Sequence, residues 1–175
     1  MSKAVVMIID DEEGIRETLS GIFLDEGYET VTASSGEEAV RIAKETNPDV
    51  VVLDIWLTGM DGIQTMKELK ENSTDLPVVI ISGHANIELA VKATKIGAYD
   101  ILEKPLSMEK VLLTVRRALE KRNLEIENKA LLENLLKKNK LIGNSPKMNQ
   151  LGEQIKMAAA SNSRAASANG LLIAK

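Results

Sequence analysis

Val50-Val51-Val52-Leu53-Asp54 is an unbroken apolar run closed by a carboxylate. Apolar residues at consecutive rather than alternate positions mark a strand buried on both faces, as in a parallel sheet covered by helices. An acid at the carboxyl end of such a strand stands where open parallel sheets bind ligands, at the point where strand order reverses. The same residue at a helix cap or in a turn would be ordinary. Its neighbours decide.

Upstream, Ala4 to Ile9 reads AVVMII and stops at Asp10-Asp11-Glu12-Glu13, which predicts a first strand. Ile15, Leu19, Ile22 and Phe23 then recur at helical spacing up to Gly27, a residue suited to a left-handed C-terminal stop. Tyr28 to Thr32 forms a second, half-polar strand. Ser35 with Glu38 matches a capping box ahead of a helix carrying Ala39, Val40, Ile42 and Ala43. Asn47-Pro48-Asp49 breaks the chain before the central strand.

Downstream, a loop with Gly59 and Gly62 leads to a third helix through Ile63, Met66 and Leu69, ending near Asn72. Pro77 opens a fourth strand, Val78 to Ile81, which closes on Ser82-Gly83-His84. A fourth helix through Ile87, Ala90, Val91 and Ala93 stops at Gly97, and a fifth strand, Tyr99 to Leu102, closes on Glu103-Lys104-Pro105. The last helix begins near Ser107 with Val111, Leu112, Val115 and Leu119 as its apolar face. Five alternations predict an α/β fold: a doubly wound, five-stranded parallel sheet of the flavodoxin-like order 2-1-3-4-5, with a long C-terminal linker helix.

Composition bounds the function. The 175 residues are 44% hydrophobic, 27% charged and only 2% aromatic, enough for one aliphatic core and an extension. A net charge of -4 argues against a surface that coats nucleic acid. No run approaches a membrane span and no signal peptide opens the chain. With no cysteine, disulfides, thiolate catalysis and thiolate zinc sites are excluded. A cytoplasmic location is the expectation.

Four segments follow: a domain over 1–120, a helical linker over 121–140, a new beginning over 141–157 and a tail over 158–175. In the linker, Leu124, Asn128, Leu131 and Leu135 are spaced four, three and four apart, a short coiled-coil seam with a polar residue that fixes register. The alternative is an amphipathic helix folded back on its own domain. The tail is small, polar and aperiodic, expected to be disordered and of the kind an expression vector adds.

The strand ends, set side by side, are Asp10 and Asp11, then Asp54, Ser82 and Lys104. With the first and third strands adjacent, they converge on one crevice. Alone, Asp10 and Asp11 read equally well as helix-capping acids, Ser82 as a turn hydroxyl, Trp56 as packing or an exposed contact, and Tyr99 as core. His84, lacking a second histidine, is not a zinc ligand. Three carboxylates together raise one another's pKa unless a cation intervenes, and oxygen-only ligands favour Mg²⁺. Lys104 adds a further positive charge, which an incoming phosphoryl group would suit. The expected chemistry has Asp54 as nucleophile toward phosphorus, with Lys104 and the Ser82 hydroxyl receiving phosphoryl oxygens.

Asp10-Asp11, Asp54, Ser82 and Lys104-Pro105 at this spacing resemble the receiver domain of bacterial two-component response regulators, over roughly residues 3–120. The resemblance implies that Asp54 takes phosphate from a sensor histidine kinase. It also implies Mg²⁺ held by Asp11 directly, by Asp10 through water, by Asp54 and by the main-chain carbonyl of Trp56, and a cis bond before Pro105. His84, Gly97-Ala98-Tyr99-Asp100 and Leu141-Ile142-Gly143-Asn144-Ser145-Pro146 resemble the nitrogen-regulation type of sigma-54-dependent activators, in which the last motif opens an ATPase domain. Without a G-x-x-x-x-G-K-[ST] loop, the chain is expected to be a receiver and linker from a longer regulator, with no ATPase and no DNA binding of its own. The implied output is a homodimer through the fourth and fifth helices and the linker, switched by phosphorylation to control transcription.

Two positions depart from that family. Ile101 stands where an aromatic switch residue is usual, and Thr58 where proline is usual. Two rival functions stay open: a phosphohydrolase acting through an aspartyl phosphate, which would need an acid where Trp56 stands, and a pairing module indifferent to phosphate and to Mg²⁺.

Overall fold

The computed structural model describes residues 3–83 and 87–142, with side chains as far as residue 136. Five strands, β1 (Val5–Ile9), β2 (Glu29–Ala33), β3 (Val50–Asp54), β4 (Val78–Ser82) and β5 (Asp100–Glu103), alternate with five helices. The helices are α1 (Glu13–Asp25), α2 (Gly36–Thr46), α3 (Gly62–Asn72), α4 (Ile87–Ile96) and α5 (Met108–Ile142). Every pairing is parallel and the order is β2-β1-β3-β4-β5, the order expected of a flavodoxin-like sheet. The chain divides into two compact units, Met1–Arg122 and Asn123–Lys175, and the sheet belongs to the first.

The apolar runs have the burial their composition demands. Every residue of β3 and β4 is buried. Alternate side chains feed two cores. Val6, Ile8, Val50, Val52, Val79 and Ile81 pack with Leu19 and Phe23 of α1 and with Val111 and Val115 of α5. Met7, Ile9, Val51, Leu53, Val78 and Ile80 pack with Ala39 of α2, Met66 and Leu69 of α3 and Ala93 of α4. Each such Val, Leu or Ile contributes about 1.5–3 kcal/mol by leaving water. The central strands are thereby held rigid, and so is whatever stands at their ends.

Local stops follow the sequence with instructive differences. Gly27, at φ 86°, turns the chain out of α1 as expected. After α2 the left-handed residue is Asn47, at φ 47°, so the break there begins one residue ahead of Pro48. The capping box is realised in half. Ser35 Oγ accepts from the Glu38 N–H, but the Glu38 carboxylate reaches past Ser35 to the Ser34 N–H and hydroxyl, each at 2.8 Å. These two bonds hold the Glu38 carboxyl below its usual range. The backbone of Leu141 and Ile142, expected to open a break, is the last of α5. His84, the remainder of the 141–157 segment and the 158–175 tail lie outside the described residues. Among the described residues no helix is long and apolar enough to cross a membrane.

One close approach ties the fold to the site. A Cβ added at Gly62, the first residue of α3, would lie 2.5 Å from the Asp54 carbonyl oxygen and 2.7 Å from Ile55 Cα. Both contacts are backbone, so nothing flexible can yield. Gly62→Ala is expected to lower stability by about 1–3 kcal/mol, the usual cost of overpacking, measured as a lower urea midpoint at unchanged slope; a midpoint equal to the parent's would show that α3 is free to shift.

Candidate functional site

Parallel register brings the strand ends level. Ile9 lies beside Leu53, Asp54 beside Ile81, and Ser82 beside Glu103. Asp10 therefore leaves β1 next to Asp54 at the end of β3, while Lys104 leaves β5 on the far side of β4. The Lys104 N–H donates to the Ser82 carbonyl at 2.9 Å, and the peptide bond between Lys104 and Pro105 is cis. The Lys104 ammonium donates to Asp54 Oδ2 at 2.5 Å, Asp10 Oδ2 at 3.2 Å and Glu12 Oε1 at 3.4 Å.

Asp10 and Asp54 are only 1% and 3% exposed, so their charges must be met inside the protein. Each is met in the same way. Oδ1 of Asp10 accepts the Glu12 N–H at 2.9 Å, and Oδ1 of Asp54 accepts the Trp56 N–H at 3.0 Å, both two residues onward. The remaining oxygen of each turns to the same ammonium. Burial drives the Asp10 carboxyl above its ordinary 3.8; the Glu12 N–H and Lys104 work against that rise, and the Asp54 charge adds to it. On Lys104 burial favours the neutral amine, but the hydrogen bond to Asp54 and the charges of Asp10 and Asp54 outweigh it, and its pKa is pushed up to about 12. The amine is a fixed cation at neutral pH.

The other predicted residues are near but differently placed. Ser82 is fully buried at the end of β4. Trp56 is 64% exposed, with its N–H on Asp54. Asp11 is exposed and has turned to the β3–α3 loop, where Thr58 Oγ1 donates to its Oδ2 at 3.1 Å. The capping reading of Asp10 and Asp11 fails, because the N-cap position of α1 belongs to Glu12, whose side chain makes no cap bond.

Three participants were missed. Glu12 is a third acid on Lys104, and in the sequence it stands only as part of the acidic run that closes the first strand. Thr58 was noted only as a missing proline. Arg16, one turn into α1, donates to the carbonyls of Asp10 at 2.7 Å and Asp11 at 3.1 Å, a contact no spacing rule foretells.

Among the described residues, no three acidic or histidine side chains converge closely enough to cage a metal. Mg²⁺ does not need a cage, since it takes one or two carboxylates and keeps several waters. The donor set here, all hard oxygens beside a crowded negative patch, fits it on those terms.

The family model of the response regulator receiver domain matches residues 6–116. An NtrX-like response regulator of Rickettsia bellii is 41% identical over 166 residues, 94% of this chain but 35% of that protein. The chain thus spans about a third of the length of the curated relatives it first matches. The crystal structure of the receiver domain of NtrX from Brucella abortus matches with TM-score 0.62 at 45% identity, covering 66% of this chain and 98% of that one. The chemotaxis protein CheY4 of Vibrio cholerae matches with TM-score 0.65 at 30% identity, covering 67% of this chain and all of its own.

The raised Asp10 pKa fixes the sign of a stability effect. Between the ordinary 3.8 and the raised value the folded state binds more protons, so stability falls as pH rises through that window. Asp10→Asn, in chelator, is expected to raise the urea midpoint at pH 7, and the gap over the parent should close as pH falls and vanish below 3.8. A lower midpoint at pH 7 would mean that the Lys104 pair outweighs the burial.

Proposed function

The chain belongs to the response regulator receiver domain family, and we propose from that membership that Asp54 is the residue phosphorylated, with the phosphohistidine of a sensor histidine kinase as donor. The observation that carries the reading is the Lys104 ammonium, 2.5 Å from Asp54 Oδ2 and shared with Asp10. Receiver domains are regulatory rather than enzymes in the usual sense, and response regulators partner with sensor histidine kinases.

An Asp54 carboxylate oxygen attacks phosphorus, a P–O bond forms, the P–N bond to the donor imidazole breaks, and its electron pair leaves on the ring nitrogen. Lys104, protonated throughout the neutral range, passes from the carboxylate oxygen to a phosphoryl oxygen. The Ser82 hydroxyl, at the neighbouring strand end, receives another. The Trp56 N–H already holds Oδ1, so the carboxylate is oriented before the donor arrives. Receiver domains generally bind Mg²⁺. Here it would be held by Asp11, by Asp10 through water, by Asp54 and by the Trp56 carbonyl, and when bound it supplies positive charge against the phosphoryl oxygens.

The product is a dianion beside Asp10, with Lys104 withdrawn from its old partner. That bias acts on Ser82 and on the segment from β4 toward α4. Ile101, half-buried against the α4 side of the sheet, provides no ring to rotate, so the signal has to pass by backbone and aliphatic packing. Output runs through a second copy of the chain. Ile87 and Val91 of α4, Leu113 of α5 and, in the linker, Leu124, Leu131 and Leu135 are large apolar side chains left exposed. A phosphohydrolase is disfavoured because Trp56 stands where its acid would be required.

Incubation with acetyl phosphate and Mg²⁺ is expected to add one phosphoryl group, located on Asp54 by peptide mass spectrometry after borohydride trapping; label on another residue, or label surviving Asp54→Asn, rejects the assignment. For the linker, Leu131→Asp is expected to raise the dimer dissociation constant at least about tenfold, a loss of 1.4 kcal/mol, in sedimentation equilibrium. An unchanged constant would place the dimer elsewhere.

A further inference from the structure

The proposed site rests on Asp11, yet Asp11 is exposed where Asp10 and Asp54 are buried. Its backbone is held by Arg16 from α1, whose guanidinium takes the carbonyls of Asp10 and Asp11. Its side chain has a single hydrogen bond among the described residues, from the Thr58 hydroxyl at 3.1 Å. That bond joins the loop after β1 to the loop after β3, across 47 residues of sequence.

The donor loop is itself restrained on both flanks. The Trp56 N–H is on Asp54 and the Gly62 N–H on the Ile55 carbonyl, and the Met60 N–H donates to Glu37 Oε1 at 3.1 Å. Gly59, at φ 87°, makes the turn between Thr58 and Met60, with Glu37 so close that an added Cβ would lie 3.2 Å from Oε1. Thr58 thus sits on an anchored loop and can hold another group still. A proline at this position would stiffen the loop but has no hydroxyl to donate.

We propose that Thr58 is a positioning residue of the phosphorylation site, its hydroxyl fixing one Asp11 oxygen so that the carboxylate is presented to a divalent cation. A ligating carboxylate on an exposed side chain otherwise has to be ordered at the moment of binding. Hydrogen bonds that orient ligands in this way are worth 10–100-fold in metal affinity, and an exposed bond of ordinary length belongs near the bottom of that range. The inference rests on the metal reading given above, in which Asp11 is a direct ligand.

The test titrates Mg²⁺ into the full chain and follows the amide resonances of Asp11 and Trp56 together with the fluorescence of the exposed indole. Thr58→Val, which keeps the shape and loses the hydroxyl, is expected to weaken Mg²⁺ binding on the order of tenfold with an unchanged thermal midpoint in chelator. Thr58→Ser should restore the parent affinity, which a merely structural role for the methyl group would not predict. Parent-like or tighter binding by Thr58→Val, or Thr58→Ser binding no better than Thr58→Val, overturns the inference and leaves the metal reading standing. If the unsubstituted chain itself shows no Mg²⁺-dependent change, the metal reading falls and this inference falls with it.

Discussion

Asp10 and Asp54 end neighbouring strands, both shut away from water, and the charge that lets them stand together is the Lys104 ammonium. Two buried carboxylates this close would otherwise force a proton onto one of them. The cluster explains features that look unrelated. The order β2-β1-β3-β4-β5 is what sets β1 against β3. The apolar runs fix both strands in register, and β5 delivers Lys104 from the far side of β4. Gly62 lets α3 start directly against the Asp54 backbone, so Asp54 has a helix pressed behind it.

The same cluster is poised rather than satisfied. Burial keeps the Asp10 carboxyl above its usual range even with an ammonium beside it, and three carboxylates, those of Asp10, Glu12 and Asp54, share that one ammonium. In the proposed function a cation would relieve that crowding, and a phosphoryl group would then draw Lys104 from Asp54. An interaction that stabilises one state of the domain would in this way be given up in making the other. The consequence need not travel through an aromatic ring. Ser82 and Lys104 are already joined through the backbone, and both adjoin the β4 and β5 ends from which α4 and α5 depart.

The architecture was legible because it rests on period and punctuation: consecutive apolar residues for doubly buried strands, three-to-four spacing for helices, glycine at the stops. The parallel α/β class follows from that pattern, and the convergence of Asp10, Asp54 and Lys104 follows once the sheet has the flavodoxin-like strand order. What stayed hidden depends on contacts between loops, where no period exists. The Glu38 carboxylate chose Ser34 over the partner that a capping box assigns, because a hydroxyl and an N–H one residue earlier offered two bonds in place of one. Glu12 reads as part of an acidic run, and only the path of Lys104 makes it a third partner. Arg16 and Thr58 act on residues five to 47 positions away, through geometry that composition does not encode. Asp11 was foreseen as a member of the cluster, but the side chain that holds it was seen only as a proline lost.

In the proposed function the three strand ends form a receptor for a phosphoryl group, built from Asp54, Lys104 and a divalent cation. Fluorine NMR of the full chain with beryllium fluoride reads this directly, since a trifluoroberyllate bonded to the Asp54 carboxylate mimics the phosphoryl group without chemistry. Bound fluorine resonances, distinct from free fluoride species, are predicted when Mg²⁺ is present, with none in chelator and none in Asp54→Ala. Absence of any bound resonance at saturating Mg²⁺, or the same resonances from the Asp54→Ala chain, would contradict the account.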